Sequence, residues 1–199
     1  MVPRCSGEYR ADTSVPSIAA MSDLTGDEWA AVLVGHQWPG SSALTTLSAA
    51  AASRREVGSA FHGYADVLCS VADSVLSDQR GDAAESIRES FRAGADHARR
   101  VGERNAAKAD ALARAQRCAA QLRSALAEIA DRRARQIHSI IDGDDPAPAK
   151  TARIAEVVQE AQTEADSRSA LCMQEIYGSI QAVLDACGTD IPARRYTGG

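Results

Sequence analysis

Aromatic side chains are scarce in this chain, with two Phe, four Tyr and two Trp among 199 residues. A core short of rings has to be filled by Ala, Leu, Ile and Val. That composition suits helices approaching closely along narrow seams and argues against a compact α/β enzyme core. Long apolar runs are missing too. No stretch approaches the roughly 20 residues that span a bilayer, so no stable membrane insertion is expected. The first twenty residues contain Arg4 and Arg10 and no continuous apolar segment, which gives no Sec-type signal.

The usual marks of catalysis are equally sparse. There is no G-x-S-x-G, no glycine-rich phosphate loop and no supported Cys-His pair. Ser90 and His97 are seven residues apart on one helical face, but an exposed Ser on an Ala-rich helix has no oxyanion hole. His36, His62, His97 and His138 are scattered, and the acidic group Asp142, Asp144 and Asp145 lacks the spacing and closing Glu of a calcium loop. No enzyme, no cofactor and no metal are therefore expected. Cys5, Cys69, Cys118, Cys172 and Cys187 contain no C-x-x-C pair and read as neither a disulfide framework nor a zinc site. Cys172 and Cys187 share roughly one side of a helix about 22 Å apart, beyond disulfide reach within one chain. The cysteines are expected to serve mostly as small apolar fillers.

The net charge of −5 and pI near 5.4 oppose general attraction to nucleic acid. Charge is nevertheless segregated. Between Asp96 and His138 ten Arg and Lys side chains face five acids, whereas between Asp142 and Asp190 ten acids face Lys150, Arg153 and Arg168. The two segments either complement each other side by side or stand as separately solvated faces. An Arg-rich nucleic-acid face is a minor reading, because acids interleave it and no aromatic platform accompanies it.

Helical periodicity dominates what is present. Thr25-Gly-Asp-Glu28 has the spacing of a capping box and predicts a short helix over about 26–34, ended by Gly35. Trp38-Pro39-Gly40 is a turn, after which Ser41 or Ser42 is placed to cap a long helix over about 42–77. Leu44, Leu47, Ala51, Gly58, Phe61, Ala65, Leu68, Ala72 and Val75 mark its seam, interrupted only by Arg54. Asp82-x-x-Glu85 is placed to cap a second long helix over about 82–141. Its seam runs through Ile87, Phe91, Gly94, Ala98, Val101, Leu112, Ala115, Ala119, Leu122, Leu126, Ile129 and Ile140, with Asn105, Lys108, Arg133 and Gln136 as polar interruptions. Gly143, Pro146 and Pro148 break the chain before a third helix over about 149–187, facing a partner with Ile154, Val157, Val158, Ala161, Ala165, Leu171, Ile176, Ile180, Val183 and Leu184. The expectation is an all-α, elongated antiparallel helical bundle. It comprises a disordered segment 1–21, with Met21 the more natural start, a single helical domain 22–187 and a flexible tail 188–199.

Gly81-Asp-Ala83-Ala84-Glu-Ser-Ile87 followed by Phe91, together with Trp38-Pro39-Gly40 before the helical pair, resembles the WXG superfamily and PPE-like helical N-terminal domains of actinobacterial type VII (ESX) secretion substrates. The resemblance covers roughly Trp29 to Ile141. It implies export without a Sec signal and pairing with a small helical WXG-like protein. Gln79 stands where that family carries Trp, and no Y-x-x-x-[DE] signal occurs: Tyr9, Tyr64 and Tyr177 are followed four residues on by Thr13, Leu68 and Gln181. An exported complex would then draw its signal from the partner. Trp38, Pro39, Gly40, Phe61, Leu68, Gly81, Ile87 and Phe91 are the candidate partner-binding or bundle-end residues. The alternative is a cytoplasmic scaffold that self-associates through Leu112, Leu122, Leu126 and Ile129 without an export role.

Overall fold

A computed structural model describes Leu24 and residues 28–193, and these form helices and turns without a strand. A short helix α1 (Ala30–Val34) runs into a 3-10 turn at Gly35–Gln37. Helix α2 (Ser41–Ser70) ends in a π-turn at Val71–Val75. Helix α3 (Asp82–Asp142) is a single run of 61 residues, about 90 Å long at 1.5 Å per residue. Helix α4 (Ala147–Ala186) completes the rod. The three long helices of the predicted bundle are all present, within a few residues of their expected limits.

Helix α3 is the spine. Helix α2 folds back along its first half and α4 along its second, while α2 and α4 have little direct contact with each other. The spine therefore buries two faces rather than one continuous seam. Ala109 and Ala111 show the change of face: both are buried, although two residues correspond to about 200° of helix.

The α2–α3 seam is made of small residues. Ala51, Gly58 and Ala65 of α2 and Ala72 of its π-turn are the buried positions, spaced seven apart, and Ala95, Ala98, Gly102, Asn105 and Ala109 face them from α3 at alternating steps of three and four. Small side chains let the two backbones approach: a Cβ on Gly58 would lie 3.2 Å from the Gly102 carbonyl oxygen, and one on Gly102 would meet the His62 ring at 2.8 Å. The polar interruptions in the two sequences meet each other here. Arg54 Nη1 donates to Asn105 Oδ1 at 3.3 Å, and Asn105 Nδ2 donates to the Val101 carbonyl at 2.9 Å. A buried amide left unpaired costs about 1–3 kcal/mol, so this pairing penalises a shifted register.

The α3–α4 half holds the larger apolar core. Leu126, Ile129, Ala130, Ala134, Ile137 and Ile140 pack with Val157, Ala161 and Ala165, and α1 supplies the third wall through Ala30, Leu33 and Val34. Polar ties hold α1 and its turn in place: Gln162 donates to the Val32 carbonyl at 3.1 Å, and Gln37 to Asp166 at 2.7 Å. The basic and acidic segments do lie side by side, with Arg132 on Glu164 and Arg133 on Glu160, each at 2.6 Å. These pairs are partly exposed and contribute about 0–1 kcal/mol each, so they orient α4 more than they stabilise it.

Several sequence expectations need correction. Cys118 and Cys172 are joined by a disulfide between α3 and α4, with Cα atoms 5.7 Å apart, within the reach that such a bond requires. Spacing excludes such a bond only along one helix, whereas these two cysteines are on different helices, equidistant in sequence from Asp145 in the turn that folds α4 back. Leu171, expected on the seam, is 57% exposed, and Cys172 takes the buried place beside it. The seam positions Val75 and Ile87 are also exposed, close to the turn that joins the two helices. Asp82 lies inside the first turn of α3, after Gly81 at the cap position, and Glu85 bonds Arg88 instead of closing a capping box. Gly40 likewise precedes α2 at the cap position in place of Ser41 or Ser42. Pro148 is accommodated in the first turn of α4, where no amide donor is needed, so that helix starts two residues early. Residues 188–193 of the expected loose tail turn back at Gly188, and the buried Ala193 donates its N–H to Gln181 at 2.8 Å. Thr25, the segment 1–21 and residues 194–199 lie outside the described residues.

Two measurements test this packing. Peptide mapping without reductant should recover a Cys118–Cys172 cross-linked pair, and reduction should lower the melting temperature by a loss of about 2–4 kcal/mol that the Cys118→Ser chain no longer shows. The substitution Gly58→Leu should force α2 and α3 apart and cost about 1–3 kcal/mol in urea unfolding.

Candidate interaction surface

The α2–α3 hairpin is two helices thick over most of its length and closes at a tight turn. Gly81 adopts φ 102°, a left-handed region in which a side chain would be strained. Arg88 reaches back from α3 and donates from Nη1 to the Leu76 and Gln79 carbonyls, both at 2.9 Å, while Glu85 holds its other face. The guanidinium thereby caps the Gln79 carbonyl and gives a second donor to the Leu76 carbonyl, which also accepts from the Gln79 N–H. Sequence reasoning passed over Arg88, since no spacing rule links it to a turn nine residues earlier. The same contact places the Glu85 carboxyl below its ordinary pKa, chiefly through the Arg88 hydrogen bond and then its charge.

The two flanks of the hairpin differ in chemistry. One is polar: Asp73 pairs with Arg92 at 2.9 Å, and Arg99 Nη2 donates to Cys69 Sγ at 3.0 Å. The other is apolar. Leu68 Cδ1 sits 3.4 Å from where a Gly94 Cβ would be, and steps of seven from Gly94 reach Ile87 and Val101. On α2 the facing row is Val57, Tyr64 and Val71, each one residue before a buried small residue, with Phe61 and Leu68 half-buried beside it. Tyr64 is 55% exposed, Val75 68% and Ile87 48%. Between the flanks the hairpin core is only Ala65, Ala95 and Ala98, with Phe61, Leu68 and Cys69 packed onto it.

The structure brings Phe61, Leu68, Gly81, Ile87 and Phe91 to this hairpin but not the Trp38-Pro39-Gly40 turn. Helix α2 starts about 50 Å from its tip by its length, opposite the middle of α3. Trp38 thus covers no open end. Its ring lies under the Arg123 guanidinium, 4.8 Å from the centroid, and packs against the α3–α4 core. Its indole Nε1 has no hydrogen-bond partner among the described residues. Gly40 is buried, and the Pro39 carbonyl accepts from Arg123 Nη1 at 3.4 Å. Val57, Tyr64 and Val71 were missed although their seven-residue spacing was available, because the small seam beside them drew the periodicity argument.

Among the described residues no group of three or more His, Cys, Asp or Glu is arranged to hold a metal ion, and no helix is long and apolar enough to cross a membrane. No family model, curated protein or solved structure matches this chain.

Replacing Arg88 with Ala should leave two carbonyls without their charged donor and loosen the tip. Amide exchange over residues 77–84 is expected to accelerate by the equivalent of about 1–2 kcal/mol, with the α3–α4 half unchanged. Because the folded Glu85 pKa is depressed, its contribution is full above the ordinary carboxylate pKa and is lost as pH falls through the lowered value. Exchange at the tip should therefore quicken on acidification over that range, and the Glu85→Gln chain should show no such step.

Proposed function

We propose that this chain is a non-catalytic helical interaction module of the type VII secretion kind, acting as a substrate or as the partner of one. The observation that carries the reading is the unequal cover of the spine. Helix α1 roofs the α3–α4 half, whereas the α2–α3 hairpin has an all-alanine core and, among the described residues, leaves one flank of Val57, Phe61, Tyr64, Leu68, Val71, Ile87 and Val101 without a third helix. A second helical hairpin laid on that flank would bury the larger side chains and make a four-helix arrangement, in which apolar area contributes roughly 25 cal/mol per Å². Cys118 and Cys172 face each other within disulfide reach, a pairing that an oxidising compartment would keep closed.

The cytoplasmic scaffold reading is weakened at its own residues. Leu126 and Ile129 are fully buried inside the chain, and Leu122 packs against the same core, so they are not available to another copy.

Light scattering after size exclusion, on the chain alone and co-expressed with its chromosomal neighbours, should reveal a discrete complex with a small helical protein. Ile87→Asp changes a half-exposed residue, so it should leave the helical circular dichroism signal intact and remove that complex. Phe91→Asp should remove it as well. A homodimer that ignores every neighbour, or an Ile87→Asp chain that still binds, would refute the proposal.

A further inference from the structure

Where α2 begins and α4 ends, both helices lie against the middle of α3 and leave a groove between them. Its volume is about 410 Å³, within the range of small-molecule sites. The aliphatic wall comes from Leu47 of α2, Leu112 of α3 and Ile176, Ile180 and Val183 of α4, and Arg54 and Lys108 complete it. No Asp or Glu lines it. Helix direction sorts these residues along the axis. Arg54 faces Asn105, one turn before Lys108, so both cations lie at the end nearer the hairpin tip, whereas Leu47 lies two turns away, toward Leu112 and Ala115. From Lys108 to Ala115 the floor is about 10 Å long at 1.5 Å per residue.

The charges are unspent. Arg54 bonds only the neutral Asn105 amide, and neither it nor Lys108 has a carboxylate within ion-pair distance among the described residues. The Ser179 hydroxyl at the rim is already engaged, donating to the Glu175 carbonyl and accepting from Arg114. A larger depression on α4 differs: Arg133, Glu156, Glu160, Glu164 and Arg168 line it with charges of both signs, as on a solvated face. An aliphatic trough closed at one end by two uncompensated cations, on a chain of net charge −5, is complementary to one kind of molecule. We infer that the groove binds a free fatty acid of medium chain length, its carboxylate on Arg54 and Lys108 and its alkyl chain along Leu47, Leu112, Ile176 and Ile180. The floor is too short to seat a partner helix, and hydrogen bonds from cations to the carboxylate orient the chain. This site is separate from the apolar flank of the hairpin and does not rest on the partner reading.

Calorimetric titration of the full chain with sodium decanoate, below its micelle concentration, tests the site, with decanol and decyltrimethylammonium as matched controls. Saturable binding of one decanoate per chain is expected, with decanol weaker by about tenfold for loss of the charged hydrogen bonds. Decyltrimethylammonium should bind weakest. Lys108→Glu, at a side chain that makes no ion pair, should remove the preference for the acid over the ammonium. Ile180→Trp should fill the trough and abolish binding of all three. Equal affinity for all three amphiphiles would mean general detergent uptake and overturn the inference, as would the absence of saturable binding. So would a dimer that decanoate fails to dissociate and Lys108→Glu disperses, since a second copy would then hold the groove.

Discussion

A helix of 61 residues cannot hold itself straight in water by propensity alone, because most helical stability in proteins comes from tertiary cover of an apolar stripe. The fold follows from how α3 obtains that cover. Neither neighbour is long enough to sheathe it, so α2 takes one face over the first half and α4 another over the second. Their overlap, near Lys108 to Arg123, is where the spine is enclosed from both sides. The Trp38 turn and the groove both lie there because that is where α2 starts and α4 ends.

The two halves solve the packing problem differently. Toward the tip, Gly58, Ala65, Gly102 and Ala95 bring backbones together, and register rests on polar pairs, Arg54–Asn105 at the seam with Asp73–Arg92 and Arg99–Cys69 on one flank, rather than on interlocking side chains. Toward the other end Leu126, Ile129 and Ile137 need a wall wider than one helix provides, and α1 supplies it. Charge follows the same division, with the basic middle of α3 facing the acidic start of α4 through Arg132 and Arg133. Small residues on one side of a rod and large ones on the other make one half thin with an open flank and the other thick and closed.

The helix limits were legible because the breaks are punctuated chemically: Gly35, the Pro39-Gly40 pair, Gly81, and Gly143 with Pro146. The small-residue stripe of α2 was legible for the same reason, since a period of seven is visible without knowing what lies opposite. What a single helix cannot show is the change of partner along α3, because Ala109 and Ala111 look alike in composition while facing opposite neighbours. Pairings between helices were hidden as well. The meeting of Arg54 with Asn105, the reach of Arg88 to the α2 terminus and the Cys118–Cys172 bond all depend on where each turn centres the register. Of the candidate surface, the half-buried members Phe61, Leu68 and Phe91 were found from periodicity, but the row of Val57, Tyr64 and Val71 beside them was not, since its cover depends on whether a third helix is present.

The disulfide has a mechanical consequence. Tension applied between the two ends of the chain passes from Cys118 directly to Cys172 and bypasses residues 119–171, so the far end of the α3–α4 half carries none of it. A pull would peel α2 from the spine while that closed loop stayed folded. Once the bond has closed, a pore that accepts only a single extended strand would stall at Cys118, so a chain threaded through such a pore has to pass it reduced.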